Sequence, residues 1–355
     1  MKYFAFFLPQ FHEILENNIW WGEGFTEWTN VKKANPLFKG HMQPMHPLND
    51  NYYNLLDKKT VEWQSSLMKE YLLDGMIYYH YWFNGKLLLE KPAENLLKWK
   101  DISQKYFFCW ANHSWKRTWN GTQEILMPME YGCLQDWEKH YDYLRPFFAD
   151  DRYEKIDNKP IFMLFRSEFE EKKGMIEYFD YRCKMDGFAG IALIETYHSD
   201  REMSEFKKEL LQSTRYVFYR EPVAQKAFYS RDHNSIIRRA INKVARCKVI
   251  HRPEILDGNT LMRNKLSSEP MGCNVAHGIW FEWDNTPRHK QRGYIISPYD
   301  KEYFLRYTEL IKRDDYMFIN AWNEWCEGMM LEPSKEKGYK YLNWIKESKK
   351  NIYHT

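Results

Sequence analysis

The sequence lacks most of the signatures of a bound cofactor, a metal or a membrane. No G-x-G-x-x-G and no G-x-x-x-x-G-K-[ST] occurs, so no glycine-rich turn opens a helix beneath a phosphate, and a doubly wound nucleotide-binding sheet ranks well below other α/β architectures. No H-E-x-x-H and no Asp-x-Asp is present, which disfavours a metalloprotease and a metal-dependent nucleotide-sugar transferase of the usual kind. The cysteines (Cys109, Cys133, Cys183, Cys247, Cys273, Cys326) show neither C-x-x-C pairing nor histidines at zinc-ligand spacing. Reduced thiols in a cytoplasm are expected, not disulfides or structural zinc. No apolar run reaches membrane-spanning length. The N-terminus "MKYFAFFLPQFHEI" is apolar only to Leu8 and meets Pro9 without a small-residue cleavage site, so it reads as a first strand and not as a signal peptide. A dispersed net charge of +3 argues against nucleic acid as the main partner. Neither metal nor cofactor is expected.

What is present is the composition of an ordered globular chain, 44% hydrophobic and 28% charged with no low-complexity tract. Its length fits two domains or one barrel with extended loops. Eight short, near-continuously apolar runs read as parallel strands covered on both faces. They are "KYFAFFL" (2 to 8), "GMIYYHYW" (75 to 82), "YFFCWAN" (106 to 112), "PIFMLF" (160 to 165), "GIALIETY" (190 to 197), "RYVFYREP" (215 to 222), "GIWFEWD" (278 to 284) and "YMFINAW" (316 to 322). Helical patterns lie between them: 57 to 73 behind an Asp57 cap, "LQDWEKHYDYLRPFF", "EKKGMIEYFDYRCKM" and "REMSEFKKELLQ". This alternation predicts a single (β/α)₈ barrel domain over residues 1 to 355. Long βα loops follow strands one (9 to 56) and six (223 to 276), at the barrel end where such loops carry function.

If the strands are placed correctly, their carboxyl ends share one rim. It collects Gln10 and His12 after the first strand, His80 and Trp82 at the second, Trp110, Asn112 and Trp115 around the third, and Arg166 after the fourth. Glu195, Tyr197 and His198 follow from the fifth, Arg220 and Glu221 from the sixth, Trp283, Asp284 and Asn285 from the seventh, and Asn323, Glu324, Trp325 and Glu327 from the eighth. Tryptophans gather at the same places, in "WWGEGFTEW" (Trp20, Trp21, Trp28), "CWANHSWKRTW", "WFEWD" and "AWNEW". A sugar packs its C–H face on a ring and needs polar partners for its hydroxyls, so carbohydrate is the first ligand expectation. For any one tryptophan, filling of the barrel and helix layer is an equal alternative.

Glu324 and Glu327 in "NAWNEWCEGMML" are the most specific feature. Making or breaking an acetal needs one carboxylic acid to protonate the leaving oxygen and a second carboxylate as base or nucleophile. Two carboxyls leaving one strand end at i and i+3 reach the required separation, and burial among tryptophans should raise the pKa of one. Glu-x-x-Glu alone is common on helices and carries little weight; its place after the eighth strand gives it meaning. Glu27 in "GFTEWTN" fits either a site wall or a turn cap. Arg166, Glu195 and Arg220 fit either ligand contacts or an internal charge network. His41 and His46 read as loop histidines. Residues 235 to 252 form a basic amphipathic helix pattern that suits an anionic membrane or a phosphate-bearing acceptor, and equally a solvated outer layer.

The motifs "FFLPQFH", "WWGEGFTEWTNVKKANPLFKGH", "DGMIYYHYWFNGKLLLEKP", "CWANHSWKRTWNG", "WDNTPR" and "NAWNEWCEGMMLEP" resemble the WbsX-type glycosyltransferase family of bacterial O-antigen and capsule clusters. That family is similar to the endo-α-mannosidase group of glycoside hydrolases, which are (β/α)₈ barrels. The resemblance runs from about residue 3 to 345. It implies a metal-independent, cofactor-free site with Glu324 as base and Glu327 as acid/base. Cys326 lies between them where the hydrolases resemble this site less, and its small side chain is expected to alter the acceptor side. It implies a sugar donor and a glycan acceptor, lipid-linked in some cases. Transfer is the leading expectation, retaining endo-hydrolysis of the same glycans its competitor, and a non-catalytic carbohydrate-binding barrel the third reading.

Overall fold

Eight parallel strands pair in chain order and the last returns to the first, closing a barrel: β1 (Lys2–Phe7), β2 (Gly75–Phe83), β3 (Lys105–Trp110), β4 (Lys159–Leu164), β5 (Ala192–Tyr197), β6 (Thr214–Tyr219), β7 (Val275–Trp280) and β8 (Tyr316–Asn320). Closure is made by β1 against β8, with Phe4 level with Phe318 and Ala5 with Ile319. The computed structural model describes residues 1–117, 124–198, 210–232, 252–269 and 274–353. All eight strands expected from the sequence are strands, and the chain is an α/β barrel of the TIM type.

The strands form because both faces are covered; all nine residues of β2 are buried. Aromatic rings fill the interior. Phe4 meets Phe107 at 5.2 Å, Phe107 meets Phe318 at 5.8 Å, and Phe318 meets Phe218 at 5.2 Å between centroids. Gly75 makes room for this layer, since a Cβ there would lie 2.3 Å from the Phe4 ring. Outside, helices cover the sheet. Lys58–Glu70 starts where the Asp57 side chain accepts from Lys59 N, and Leu134–Phe148 and Lys172–Met185 follow the expected patterns closely.

Two features differ from expectation. The seventh strand lies earlier, at Val275–Trp280, because the apolar run continues past the barrel into a separate sheet in which Trp283–Asp284 pairs with Tyr294–Ile296, and that strand with Glu254–Leu256. The connection after β3 is also long and carries a hairpin of Trp115–Arg117 with Glu124–Met127. The helices expected over 201 to 212 and 235 to 252 fall almost wholly outside the described residues. No helix among the described residues is long and apolar enough to cross a membrane.

Candidate active site

Past β8 the chain makes a tight double-back. Asn323–Glu324 pairs antiparallel with Met329–Met330 around a single 3₁₀ turn, Trp325–Glu327. Gly328 closes the turn at φ 62°, the left-handed region that suits glycine, and a Cβ there would meet Asp284 at 3.2 Å. Buried side chains fix the turn to the barrel. Asn323 accepts from Leu8 N at 2.7 Å and donates to Leu8 O at 3.0 Å, like a strand partner. Glu332 gathers four donors: Gln64 Nε2 at 2.7 Å and Trp322 Nε1 at 2.8 Å on one oxygen, Tyr53 Oη at 2.8 Å and Trp325 Nε1 at 2.7 Å on the other. Burial pushes Glu332 up to about 7, against the pull of those donors. Cys326 is buried and donates to the Glu27 carbonyl at 3.4 Å. It ties the turn to its neighbour and does not line the cleft.

This framework sets Glu324 and Glu327 side by side in an open cleft of about 800 Å³ at the carboxyl end of the barrel. One guanidinium serves both. Arg288 Nη1 donates to Glu327 Oε1 at 2.7 Å, while Nη2 lies 3.4 Å from Glu324 Oε2 and also contacts Glu27. Trp283 Nε1 donates to the other oxygen of Glu327 at 3.1 Å. Arg288 is placed by the short helix Thr286–His289, whose start is fixed by Asp284. One Asp284 oxygen accepts from Thr286 N at 3.0 Å and Oγ1 at 2.6 Å; the other lies 2.8 Å from both His41 Nε2 and Gln43 Nε2. His41 is therefore part of the support and not merely a loop histidine.

Burial, then the charge of Glu327, pushes Glu324 up to about 8, with Arg288 opposing. Burial disfavours the charge on Arg288, but Glu27, Glu324 and Glu327 outweigh it and hold the guanidinium well above its usual value. Three acids around one cation hold excess negative charge, and a proton on Glu324 relieves it.

Gln10, Trp21, Glu27, Asn112, Trp115, Arg166, Glu324 and Glu327 line the cleft. Asn112 spends its amide on the backbone of Arg166, one bond each way at 2.7 Å. A second group stands behind the wall. Trp20 packs edge-on to Trp115 at 5.7 Å, Trp28 sits 5.4 Å from Trp325, and Trp283, Asp284, Asn323 and Trp325 brace the acids as described.

A third group is turned away from the cleft. His80 Nε2 meets His140 Nε2 at 2.8 Å, Trp82 donates to Asp136, and Trp110 donates to Trp82 O, all against helix Leu134–Phe148. Glu195 pairs with Lys172 at 2.9 Å and accepts from Tyr197 Oη, so it does not join Arg166 and Arg220 in a network. Glu221 pairs with Lys265 at 2.9 Å on helix Gly258–Ser268. His12 is buried beneath the first loop, where desolvation pushes it down to about 4. Alternation explains most of these. Successive strand residues point to opposite faces, so Tyr79 and Tyr81 enter the cleft while His80 and Trp82 face the helices. Just past β6, Arg220 enters the cleft and Glu221 does not. Arg220 reaches the cleft as strand-end reasoning expected, whereas Tyr79, Tyr81, His113 and Arg288 are cleft residues that it passed over. All four lie inside motifs that carry the family resemblance, Arg288 at the end of "WDNTPR".

Among the described residues no group of three His, Cys, Asp or Glu side chains is arranged to hold a metal.

The profile of the glycosyltransferase WbsX family matches residues 3–345. The chain belongs to this family. Two curated relatives, both described as uncharacterized protein WxcX, from two strains of Xanthomonas campestris pv. campestris, are each 28% identical over 97% of the chain. The chain spans about half the length of these relatives, 49%. Among solved structures, the WbsX-family chain resembles the GH99 endo-alpha-mannosidase of Bacteroides thetaiotaomicron, with a TM-score of 0.55 at 12% identity over 99% of this chain and 98% of that one. It also resembles a glycoside hydrolase-like protein, with a TM-score of 0.58 at 11% identity over 98% and 93% of the two chains. At such identities the likeness concerns the fold, and it agrees with the closed barrel described above.

Proposed function

We propose that this WbsX-family barrel is a carbohydrate-active enzyme acting on glycosidic bonds in the assembly of bacterial surface polysaccharide, most simply as a glycosyltransferase. Residues 1 to 355 act as one catalytic domain, with Glu324 and Glu327 as the reacting carboxyls. The observation that carries this reading is the sharing of Arg288 by two adjacent acids in one aromatic-walled cleft, with Glu324 pushed toward the protonated form. An acetal carbon seated there meets a proton donor and a charged base at once.

The resemblance gives the base to Glu324 and the acid to Glu327. The two carboxyls are bracketed by one guanidinium, and the charge of Glu327 helps to hold a proton on Glu324. Passage of that proton to a leaving oxygen by way of Glu327 leaves Glu324 charged. The donor is an activated sugar and the acceptor a glycan, lipid-linked where assembly occurs on the inner face of a bacterial membrane. Contact of residues 235 to 252 with that membrane is supported by their sequence pattern alone.

Hydrolysis of the same glycans is the second reading, favoured by the carboxylate pair itself, which is hydrolase equipment. Incubation with activated sugar donors, lipid-linked acceptors and α-linked oligosaccharides separates the cases. Product formation only with donor and acceptor together establishes transfer, and cleavage of the glycan alone establishes hydrolysis. Binding without turnover of any of them leaves a carbohydrate-binding barrel and overturns the proposal.

A further inference from the structure

The cleft has a second positive pole beyond ion-pair reach of the acid pair, which acts on Arg220 only through its field. Glu27, Glu324 and Glu327 are committed to Arg288. Across the same cleft two more guanidiniums flank the ring of Phe165, Arg220 with its central carbon 4.4 Å from the ring centroid and Arg166 at 5.8 Å. Among the described residues neither has a carboxylate within ion-pair distance. Arg166 is exposed. Arg220 reaches only the Tyr79 hydroxyl, at 3.4 Å, and its buried Nε has no hydrogen-bond partner.

A half-buried guanidinium with no ion-pair partner is costly, and proteins keep such groups chiefly where a ligand supplies the partner. Stacking on an aromatic face offsets part of that cost and leaves the in-plane N–H groups free for the fork geometry that suits carboxylate and phosphate. The neighbouring imidazoles pack on the same ring. His113 stacks on Phe165 at 4.9 Å and His198 meets it edge-on at 5.7 Å. Burial lowers both histidines, His113 to about 4 and His198 to about 3, and both arginines lower them further. The histidines are therefore neutral near pH 7, and the positive field of this wall belongs to the arginines. Lys116 lines the same cleft and adds to that field, while Glu168, also on the lining, opposes it.

We propose that the wall formed by Arg166 and Arg220 around Phe165 is a subsite for an oxyanion carried by the sugar substrate, either the carboxylate of a uronic acid residue or a phosphate. The inference rests on the carbohydrate reading of the cleft and narrows it to acidic glycans or phosphorylated donors.

Calorimetric binding of matched probes tests it without requiring turnover: methyl glycosides of glucose, galactose and mannose, their uronates, and their 6-phosphates. At least one charged sugar should bind about tenfold tighter than its neutral parent, the size expected for one charge-assisted contact. The preference should shrink with added salt. It should fall severalfold in Arg166→Gln, an exposed position that leaves the fold intact, and vanish in Arg220→Gln. Preference for uronates alone assigns the subsite to a polymer carboxylate, and preference for phosphates alone assigns it to a donor or lipid phosphate. If no charged sugar outbinds its neutral parent, or the preference survives in Arg166→Gln, the subsite does not exist. Turnover of neutral glycans without charge discrimination would remove this inference and leave the proposed function standing. Tight anion-dependent binding without turnover of any substrate would do the reverse.

Discussion

Arg288 Nη1 lies 2.7 Å from Glu327 Oε1, and the same guanidinium extends its other nitrogen to Glu324 and Glu27. One cation therefore touches three acids contributed by the first and last loops of the barrel. Arg288→Gln should leave those acids repelling one another in a poorly hydrated place. The expected loss is about 3 kcal/mol or more of stability, the usual cost of orphaning buried ionic partners, read by urea denaturation. Because Arg288 opposes the upward shift of Glu324, the limb of the pH–rate profile that belongs to Glu324 should move to higher pH. A variant with wild-type stability and an unchanged profile would mean that the ion pairs are incidental.

Roles within the pair separate by leaving group. A general acid matters only while the departing oxygen is basic, whereas a base is needed whatever leaves. With a natural glycan both Glu324→Gln and Glu327→Gln should lose on the order of 10³-fold in kcat, within the usual range for acid–base groups, while sugar binding persists. With a nitrophenyl glycoside, Glu327→Gln should recover most of its rate and Glu324→Gln should not. Recovery in Glu324→Gln instead would exchange the two roles, and full activity of either variant on the natural glycan would remove that residue from catalysis.

The same carboxyl has a signature in stability. The folded-state pKa of Glu324 is raised from the ordinary value of 4.5 to about 8. Between those limits the folded chain keeps a proton that the unfolded chain has released, so stability falls as pH rises. Below that window both states are protonated; above it both are ionised, and the slope from this group disappears. The fall is about 1.4 kcal/mol per pH unit at most. Denaturation of wild type and Glu324→Gln at pH 5 and pH 8 should therefore show the variant gaining on the wild type at the higher pH. Parallel behaviour of the two proteins would place Glu324 in a hydrated setting.

How much of this was legible in the sequence depends on which periodicity carried it. The barrel was readable because each strand is a compact apolar run separated by helical patterns, and a run survives an error of a residue or two at its ends. The acid pair was readable because a short turn after β8 delivers both carboxyls to one side. The lining of the strands was not readable. β2 is apolar or aromatic on both faces, so "GMIYYHYW" contains no alternation to show whether Tyr79 and Tyr81 or His80 and Trp82 face inward. Glu195 and Glu221 were mistaken for rim residues for the same reason, since their partners Lys172 and Lys265 come from helices and sequence distance hides them. Arg288 was hidden differently, on a short helix positioned by Asp284 contacts from a loop over two hundred residues away in sequence.

That parity can be tested on adjacent residues of β2. Tyr81 lines the cleft and meets Trp115 edge-on at 5.1 Å, whereas His80 faces helix Leu134–Phe148, bonds His140 and is held neutral, pushed down to about 3 by burial. Tyr81→Leu keeps apolar bulk but removes a ring from the sugar-facing wall, and the lost aromatic contact, about 0.5–1.5 kcal/mol, should raise KM severalfold with little change in folding stability. His80→Leu should do the opposite. It leaves the nitrogen of His140 without its partner, which costs about 1–3 kcal/mol, while KM and kcat stay at wild-type values. The check is a paired measurement of melting and steady-state kinetics on both variants. If His80→Leu altered KM and Tyr81→Leu did not, the strand would be turned over in solution, and with it the division of β2 between cleft and helix layer.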